Sequence, residues 1–210
     1  MPKIGGAAQS LGSESDGVLT GNVEENAAVS SGYAFWVGNK GVYRVPLLGG
    51  PSQLWVKTGC AHRLLADADT VYFSCYQGFI GFRKATDPPD LNFEHGSTPG
   101  SRDFAVDATY LYYFESGGIF RKAKSGGTAE LVVGGAQNGS LLPALTVDDH
   151  NLYWGQPAVD SRPVYYSTKQ LGATGVPLWD AIAQVERIAS NDSWVYWVDN
   201  AWRLYRTARP

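Results

Sequence analysis

Residues 104–133 read FAVDATYLYYFESGGIFRKAKSGGTAELVV, and this run decides the fold. It opens on a small apolar segment, Phe104-Ala105-Val106. Asp107 follows, a residue type that favours turns by bonding its own backbone. Next come an apolar–aromatic–aromatic triplet at Leu111-Tyr112-Tyr113 and an aromatic–base pair at Phe120-Arg121. A glycine turn at Gly126-Gly127 leads into AELVV. Aromatic and β-branched residues set between tight turns make this four short, half-buried strands, A to D.

Four further stretches repeat the order. With Leu111-Tyr112-Tyr113, the triplets Ala34-Phe35-Trp36, Val71-Tyr72-Phe73, Leu152-Tyr153-Trp154 and Val195-Tyr196-Trp197 lie at spacings of 37, 40, 41 and 43 residues. Ser30, Asp67, Asp148 or Asn191 leads the turn before each. Strand C is marked by Tyr43-Arg44, Phe82-Arg83, Tyr165-Tyr166 and Tyr205-Arg206. Gly49-Gly50 repeats the glycine turn, and Asp87-Pro88-Pro89 replaces it in the second unit. A period of this length signals repeat architecture.

The last unit stops after strand C, at RLYRTARP (203–210). The chain begins with what that unit lacks: Gly5-Gly6 and then AAQSL (7–11), like Gly49-Gly50 and then PSQL. The expected fold is all-β, a five-bladed β-propeller of four-stranded antiparallel blades, closed by the N-terminal strand pairing with the last blade. A single domain then spans 1–210, with blades near 26–59, 60–100, 101–141, 142–184, and 185–210 plus 1–15. An open array, or fragments assembled across chains, is the alternative to closure.

The unit AVD-x-x-x-LYW … V-x-R-x-P-x-x-GG-x-x-x-L resembles repeats of bacterial, often myxobacterial, extracellular propeller proteins. It is also similar to the YWTD-type propellers of animal receptors. Five aromatic-rich blades of this length resemble tachylectin-type lectins, which implies binding of amino sugars. Such repeats host binding, scaffolding and occasional enzymes, so the resemblance speaks for the blade and not for one function.

A formal charge of −3 with scattered basic residues argues against nucleic acid or an anionic membrane as partner. No apolar run approaches the ~20 residues that span a bilayer. A charged start leading into an apolar core, the mark of a signal peptide, is not visible. One short stretch, WDAIAQVERIA (179–189), carries the best helical periodicity. Analogy with the third unit's hairpin places Cys60 and Cys75 almost opposite each other, so a disulfide is expected. That implies an oxidising compartment, making the protein secreted, periplasmic or on the cell surface. Two buried free thiols are the alternative. His62 and His95 lack ligand spacing, so no metal or cofactor is expected.

The A–B and C–D turns are short and regular, whereas the B–C and D–A loops vary. Variation over a constant scaffold is where folds carry function. The B–C loops offer Asn39, Tyr76, Gln77, Glu115, Gln156, Asp160, Asp199 and Trp202. The positions before strand A offer Glu25-Asn26, His62-Arg63, Arg102-Asp103 and Glu186-Arg187. The candidate ligand-binding set is Trp202, Asp199, Asn39, Tyr76, Gln77, Glu115, Gln156, Asn26, Arg63, Asp103 and Arg187. An exposed Trp202 would stack on a sugar ring while amides and carboxylates hold its hydroxyls. Packing of Trp202 between blades is the alternative. No G-x-S-x-G, H-E-x-x-H or phosphate loop is present. Glu25, Asp103 and Glu186 are the acids best placed for a glycosidase. The expectation is a non-catalytic, monomeric binding module with a glycan ligand. A protein-interaction scaffold is the runner-up.

Overall fold

The computed structural model is described over residues 27–75, 78–91, 98–99, 103–115, 117–136, 144–155, 164–179 and 184–210. Among these residues the regular elements are strands, in five sheets whose described strand pairings are antiparallel. The first holds β1 (Ala27–Ser30), β2 (Tyr33–Gly38), β3 (Gly41–Pro46) and β4 (Gln53–Lys57). The second holds β5 (Ala61–Ala66), β6 (Thr70–Cys75), β7 (Phe79–Lys84) and β8 (Thr98–Pro99). The third holds β9 (Phe104–Val106), β10 (Tyr110–Glu115), β11 (Gly118–Ala123) and β12 (Glu130–Gly134). The fourth holds β13 (Leu145–Val147), β14 (Asn151–Gly155), β15 (Val164–Thr168) and β16 (Val176–Trp179). The fifth has three strands, β17 (Val185–Ser190), β18 (Trp194–Asp199) and β19 (Leu204–Ala208). The N-terminal strand expected beside β19 lies outside the described residues. Within WDAIAQVERIA, Val185–Ser190 is strand and not helix: pairing with β18 and burial of Val185 and Ile188 override the local period.

The chain divides into two compact units, Met1–Phe73 with Phe82–His95, and Ser74–Gly81 with Gly96–Pro210. The division passes through the second sheet. Cys60 and Cys75 form the expected disulfide.

The turn residues act as the repeat predicts. Asp107 Oδ1 accepts from the Thr109 and Tyr110 amides at 2.8 and 2.7 Å, and Oδ2 from the Tyr112 hydroxyl at 2.9 Å. Asp148 does the same with His150, Asn151 and the Tyr153 hydroxyl, and Asp67 with Thr70 and the Tyr72 hydroxyl. Each carboxylate thus ties its hairpin to the middle ring of the following triplet. Asn191 caps its turn through Ser193 and Trp194, but its amide lies 3.5 Å from the Tyr196 hydroxyl. Ser30 departs from the pattern and donates to the Ala68 carbonyl instead.

The C–D pairs in the first, third and fourth sheets carry a register shift at matching places, Val42/Tyr43, Ile119/Phe120 and Val164/Tyr165. Such a bulge turns two consecutive residues inward, and Trp55-Val56 and Val132-Val133 are both fully buried.

The strand-C arginines explain the base in the repeat. In the first unit Arg44 Nη1 donates to the Ala85 and Asp87 carbonyls at 2.6 and 2.8 Å, with its guanidinium over Tyr33. In the third sheet Arg121 Nη1 donates to the Lys169 carbonyl at 3.0 Å and lies over Tyr110. Each therefore reaches the turn after strand C of the following sheet. A second link runs backward. Lys169 Nζ contacts Asp107 Oδ2 at 2.9 Å, and Arg209 reaches Asp148 at 3.4 Å. Between the third and fourth sheets, Tyr112, Phe114 and Ile119 pack on Leu145, Leu152 and Trp154. Between the fourth and fifth, Tyr153 and Val164 pack on Ile188, Val195 and Trp197.

Candidate functional site

Among the described residues, the turn from β18 to β19, Asp199 to Arg203, is wound on a dense set of hydrogen bonds. Asp199 is 1% exposed, and its carboxylate is the post on which the turn is wound. Oδ1 accepts from the Ala201 and Arg203 amides at 2.9 and 3.0 Å. Oδ2 accepts from Arg203 Nε at 2.8 Å and the Tyr205 hydroxyl at 3.0 Å, and pairs with Arg203 Nη2 at 2.7 Å. Burial works against the charged form. The Arg203 amide and guanidinium, the Tyr205 hydroxyl and the Ala201 amide outweigh it and hold the carboxyl at about 2.

This winding presents Trp202, which is 78% exposed. Its φ is 59°, in the left-handed region that side chains other than glycine avoid. The Trp202 amide donates to the Asp199 carbonyl at 2.9 Å. In the second sheet the same B–C bond runs from Gly78 to Cys75 at 3.0 Å, and Gly78 has a φ of 84°. Gly117 fills the corresponding turn of the third sheet, also at 84°. A tryptophan therefore stands where sister turns use glycine.

Beneath the tip the aromatic rings are stacked. Trp197 and Tyr205 lie 5.6 Å apart at 12°, and Trp179, the last residue of β16, sits 6.0 Å from Trp197. Trp179 is 47% exposed. The Nε1 of Trp197 is buried without a hydrogen-bond partner. Leu204 is 70% exposed, although Val42, Ile119 and Val164 at the equivalent strand-C positions are fully buried.

The other candidates are distributed. Arg187 on β17 sits opposite Val198 on β18, close to the tip in register, and its guanidinium donates to the Glu186 carbonyl. Glu115, half-buried, ends β10 opposite Gly118. Asp103 acts between sheets: Oδ1 accepts from the Phe104 amide at 3.0 Å and Oδ2 from the Leu145 amide of the fourth sheet at 2.7 Å. Asn39, exposed in the β2–β3 turn, and Arg63, on β5, belong to the first unit. Tyr76, Gln77, Gln156, Asn26, Glu25 and Asp160 lie outside the described residues. Among the described candidates, Asp199 and Trp202 share one turn. Among the described residues no group of three His, Cys, Asp or Glu side chains is arranged to hold a metal. Sequence reasoning missed Arg203 and Trp179. The D-N-A-W-R spacing, an acid four residues before a base, was the readable signal for the first.

No protein-family profile and no curated protein sequence matches the chain. Solved structures do match it. BamB from Moraxella catarrhalis aligns with a TM-score of 0.61 at 8% identity, over 88% of this chain and 58% of its own. Hsv2 from Kluyveromyces marxianus aligns at 0.60 and 12%, over 85% of this chain and 60% of its own. PorZ, a surface component of the type-IX secretion system of Porphyromonas gingivalis, aligns at 0.52 and 12%, over 83% and 25%. The chain thus spans under two thirds of the length of these proteins. All three are β-propellers, and at such identities the likeness shows the fold alone: this chain has a β-propeller fold. The disulfide fits an extracellular or periplasmic location.

Proposed function

We propose that the chain is a non-catalytic interaction module, a secreted or periplasmic five-bladed propeller that engages a partner protein through the Trp202 tip. Closure would come from residues 5–11 pairing with β19, since among the described residues the fifth sheet has three strands where its sister sheets have a strand D as the fourth. The observation that carries the functional reading is Trp202 itself. A non-glycine residue held in a costly conformation and turned mostly to solvent contributes little to packing, and strain of this kind collects at functional sites. Tryptophan and arginine side by side at a rigid tip are also the residue types that dominate binding energy at protein interfaces.

Catalysis is disfavoured by the engagement of Asp103, whose two oxygens serve backbone amides. A glycan ligand, the tachylectin-like reading, is the second possibility, favoured by the bare indole face. Against it stands Asp199, the carboxylate of the same turn, whose oxygens are bound within the turn. Pull-down with the full chain, a glycan array and a glycoside panel separate the readings. One protein captured by the wild type and lost with Trp202→Gly supports the module. Array binding lost with the same variant supports the lectin, and hydrolysis of a glycoside overturns the non-catalytic assignment.

A further inference from the structure

We infer that the face of the fifth sheet around Arg206 is a docking surface for the first sheet (27–57) of the same chain, joined without the ion pair that fastens its sisters. The inference rests on the closure reading, which concerns the edge of β19, and extends it to the side chains of a face. Arg206 pairs in register with Tyr196, as Arg121 does with Tyr112 and Arg44 with Phe35. All three guanidiniums lie over the aromatic residue that opens strand B, Arg44 over Tyr33 at 4.7 Å, Arg121 over Tyr110 at 4.3 Å and Arg206 over Trp194 at 4.4 Å. Arg44 and Arg121 then donate to the carbonyl of the residue after strand C in the next sheet, Ala85 and Lys169. Among the described residues Arg206 is exposed and has its ring but no such carbonyl.

The apolar residues beside it are uncovered too. Tyr112, Phe114 and Ile119 are buried against the fourth sheet, whereas their counterparts in register, Tyr196 and Val198, are half-buried and Leu204 is 70% exposed. What covers them follows from the charges at the joints. Asp107 meets Lys169, the residue after strand C of the fourth sheet, and Asp148 meets Arg209, its counterpart in the fifth. At the corresponding places Ser30 and Ala85 are both neutral. An acid therefore goes with a base and a neutral residue with a neutral one, because a charge taken out of water without its partner is costly. The fifth sheet has Asn191 at this turn and calls for a neutral partner. The residues after strand C are Leu47, Ala85, Lys124, Lys169 and Arg209, and Ala85 is already held by Arg44. Leu47 is left, and its amide bonds to Gly32 as those of Lys169 and Arg209 bond to His150 and Ser193. The first sheet also offers a bare face: Ala27 is exposed and Trp36 half-buried, where Leu145 and Trp154 in the fourth sheet are fully buried against the third.

The test is a double-mutant cycle in the full chain. Asn191→Asp and Leu47→Lys together install the pair that Asp107 makes with Lys169. The double variant should melt ~2 °C or more above the sum of the single changes, and should sediment as one copy. Arg206→Gln should lower the wild-type melting temperature by ~2–4 °C. Additive single changes overturn the inference, as does an unchanged melting temperature in Arg206→Gln. Coupling seen only in a concentration-dependent dimer also overturns it, because the sheet would then come from a second copy. Deleting residues 1–11 tests the edge separately. A coupled cycle that survives a deletion without effect supports the face and sinks the edge pairing, whereas a destabilising deletion with an additive cycle does the reverse.

Discussion

Replacing Trp202 in two ways separates strain from function. Trp202→Ala removes the indole and keeps a side chain in the left-handed region. Trp202→Gly removes the indole and the strain together. The indole is about a fifth buried, which at roughly 250 Å² for a whole tryptophan is ~50 Å², or about 1 kcal/mol lost in both variants. Leaving the left-handed region relieves ~1–2 kcal/mol, of which glycine returns roughly 0.5–1 kcal/mol as extra freedom in the unfolded chain. Trp202→Gly should therefore lie within about 0.5 kcal/mol of the wild type, and Trp202→Ala about 1 kcal/mol below it. Urea denaturation followed by circular dichroism measures both on one chain. If the alanine variant matches or exceeds the glycine variant, the turn stores no strain at residue 202. The functional argument then loses its footing.

Other perturbations follow from the same contacts. Tyr112→Phe takes a hydroxyl from the Asp107 carboxylate and should cost about 1.5 kcal/mol, whereas Tyr196→Phe, set against a neutral amide at 3.5 Å, should cost less than ~0.5 kcal/mol; thermal melts of the two compare them directly. Asn191→Asp rebuilds the motif of its sister sheets and should raise stability by up to ~1 kcal/mol in the same assay. Reducing the Cys60–Cys75 bond, which closes a loop of about 15 residues, should lower stability by roughly 3 kcal/mol, read as a denaturant midpoint with and without reductant. The carboxyls of Asp107, Asp148 and Asp199 all titrate below the ordinary range despite burial, because amides, tyrosine hydroxyls and cations favour the charge. Their contribution is present above the unfolded value near 3.9 and is lost as pH falls through the folded values, about 2 for Asp199. Burial, then hydrogen bonding to aspartate, raises Tyr72, Tyr112 and Tyr153, so a second loss should begin above about pH 10. A melting-temperature profile flat between these limits is expected, and a maximum near pH 4 would contradict it.

The repeat made the sheets legible because each strand is announced by a local signal: Asp107 for a turn, Leu111-Tyr112-Tyr113 for strand B, Gly126-Gly127 for the next turn. These preferences agree with the tertiary packing, so little could override them. The cysteine pairing was readable for the same reason, since hairpin register follows from turn position. The helical period of WDAIAQVERIA does not decide the described part of that stretch, because pairing with β18 makes Val185–Ser190 a strand. The candidate site was legible only in part. Trp202 could be picked out as an odd residue in a variable loop, but its glycine-like φ depends on how Asp199 winds the turn. The roles of Asp199 and Asp103 were equally hidden, because a carboxylate bound to amides and one waiting for a ligand look the same in one sequence. Trp179 ends a strand like any other in the text, and only the neighbouring sheet leaves it half in solvent.

Arg44 and Arg121 grip main-chain oxygens across the joint, not side chains. Every sheet offers such oxygens whatever its sequence, so the clasp is indifferent to what it holds. A module fastened this way tolerates duplication, reordering and drift in its neighbour. The tip loops can diversify without renegotiating the joints beneath them.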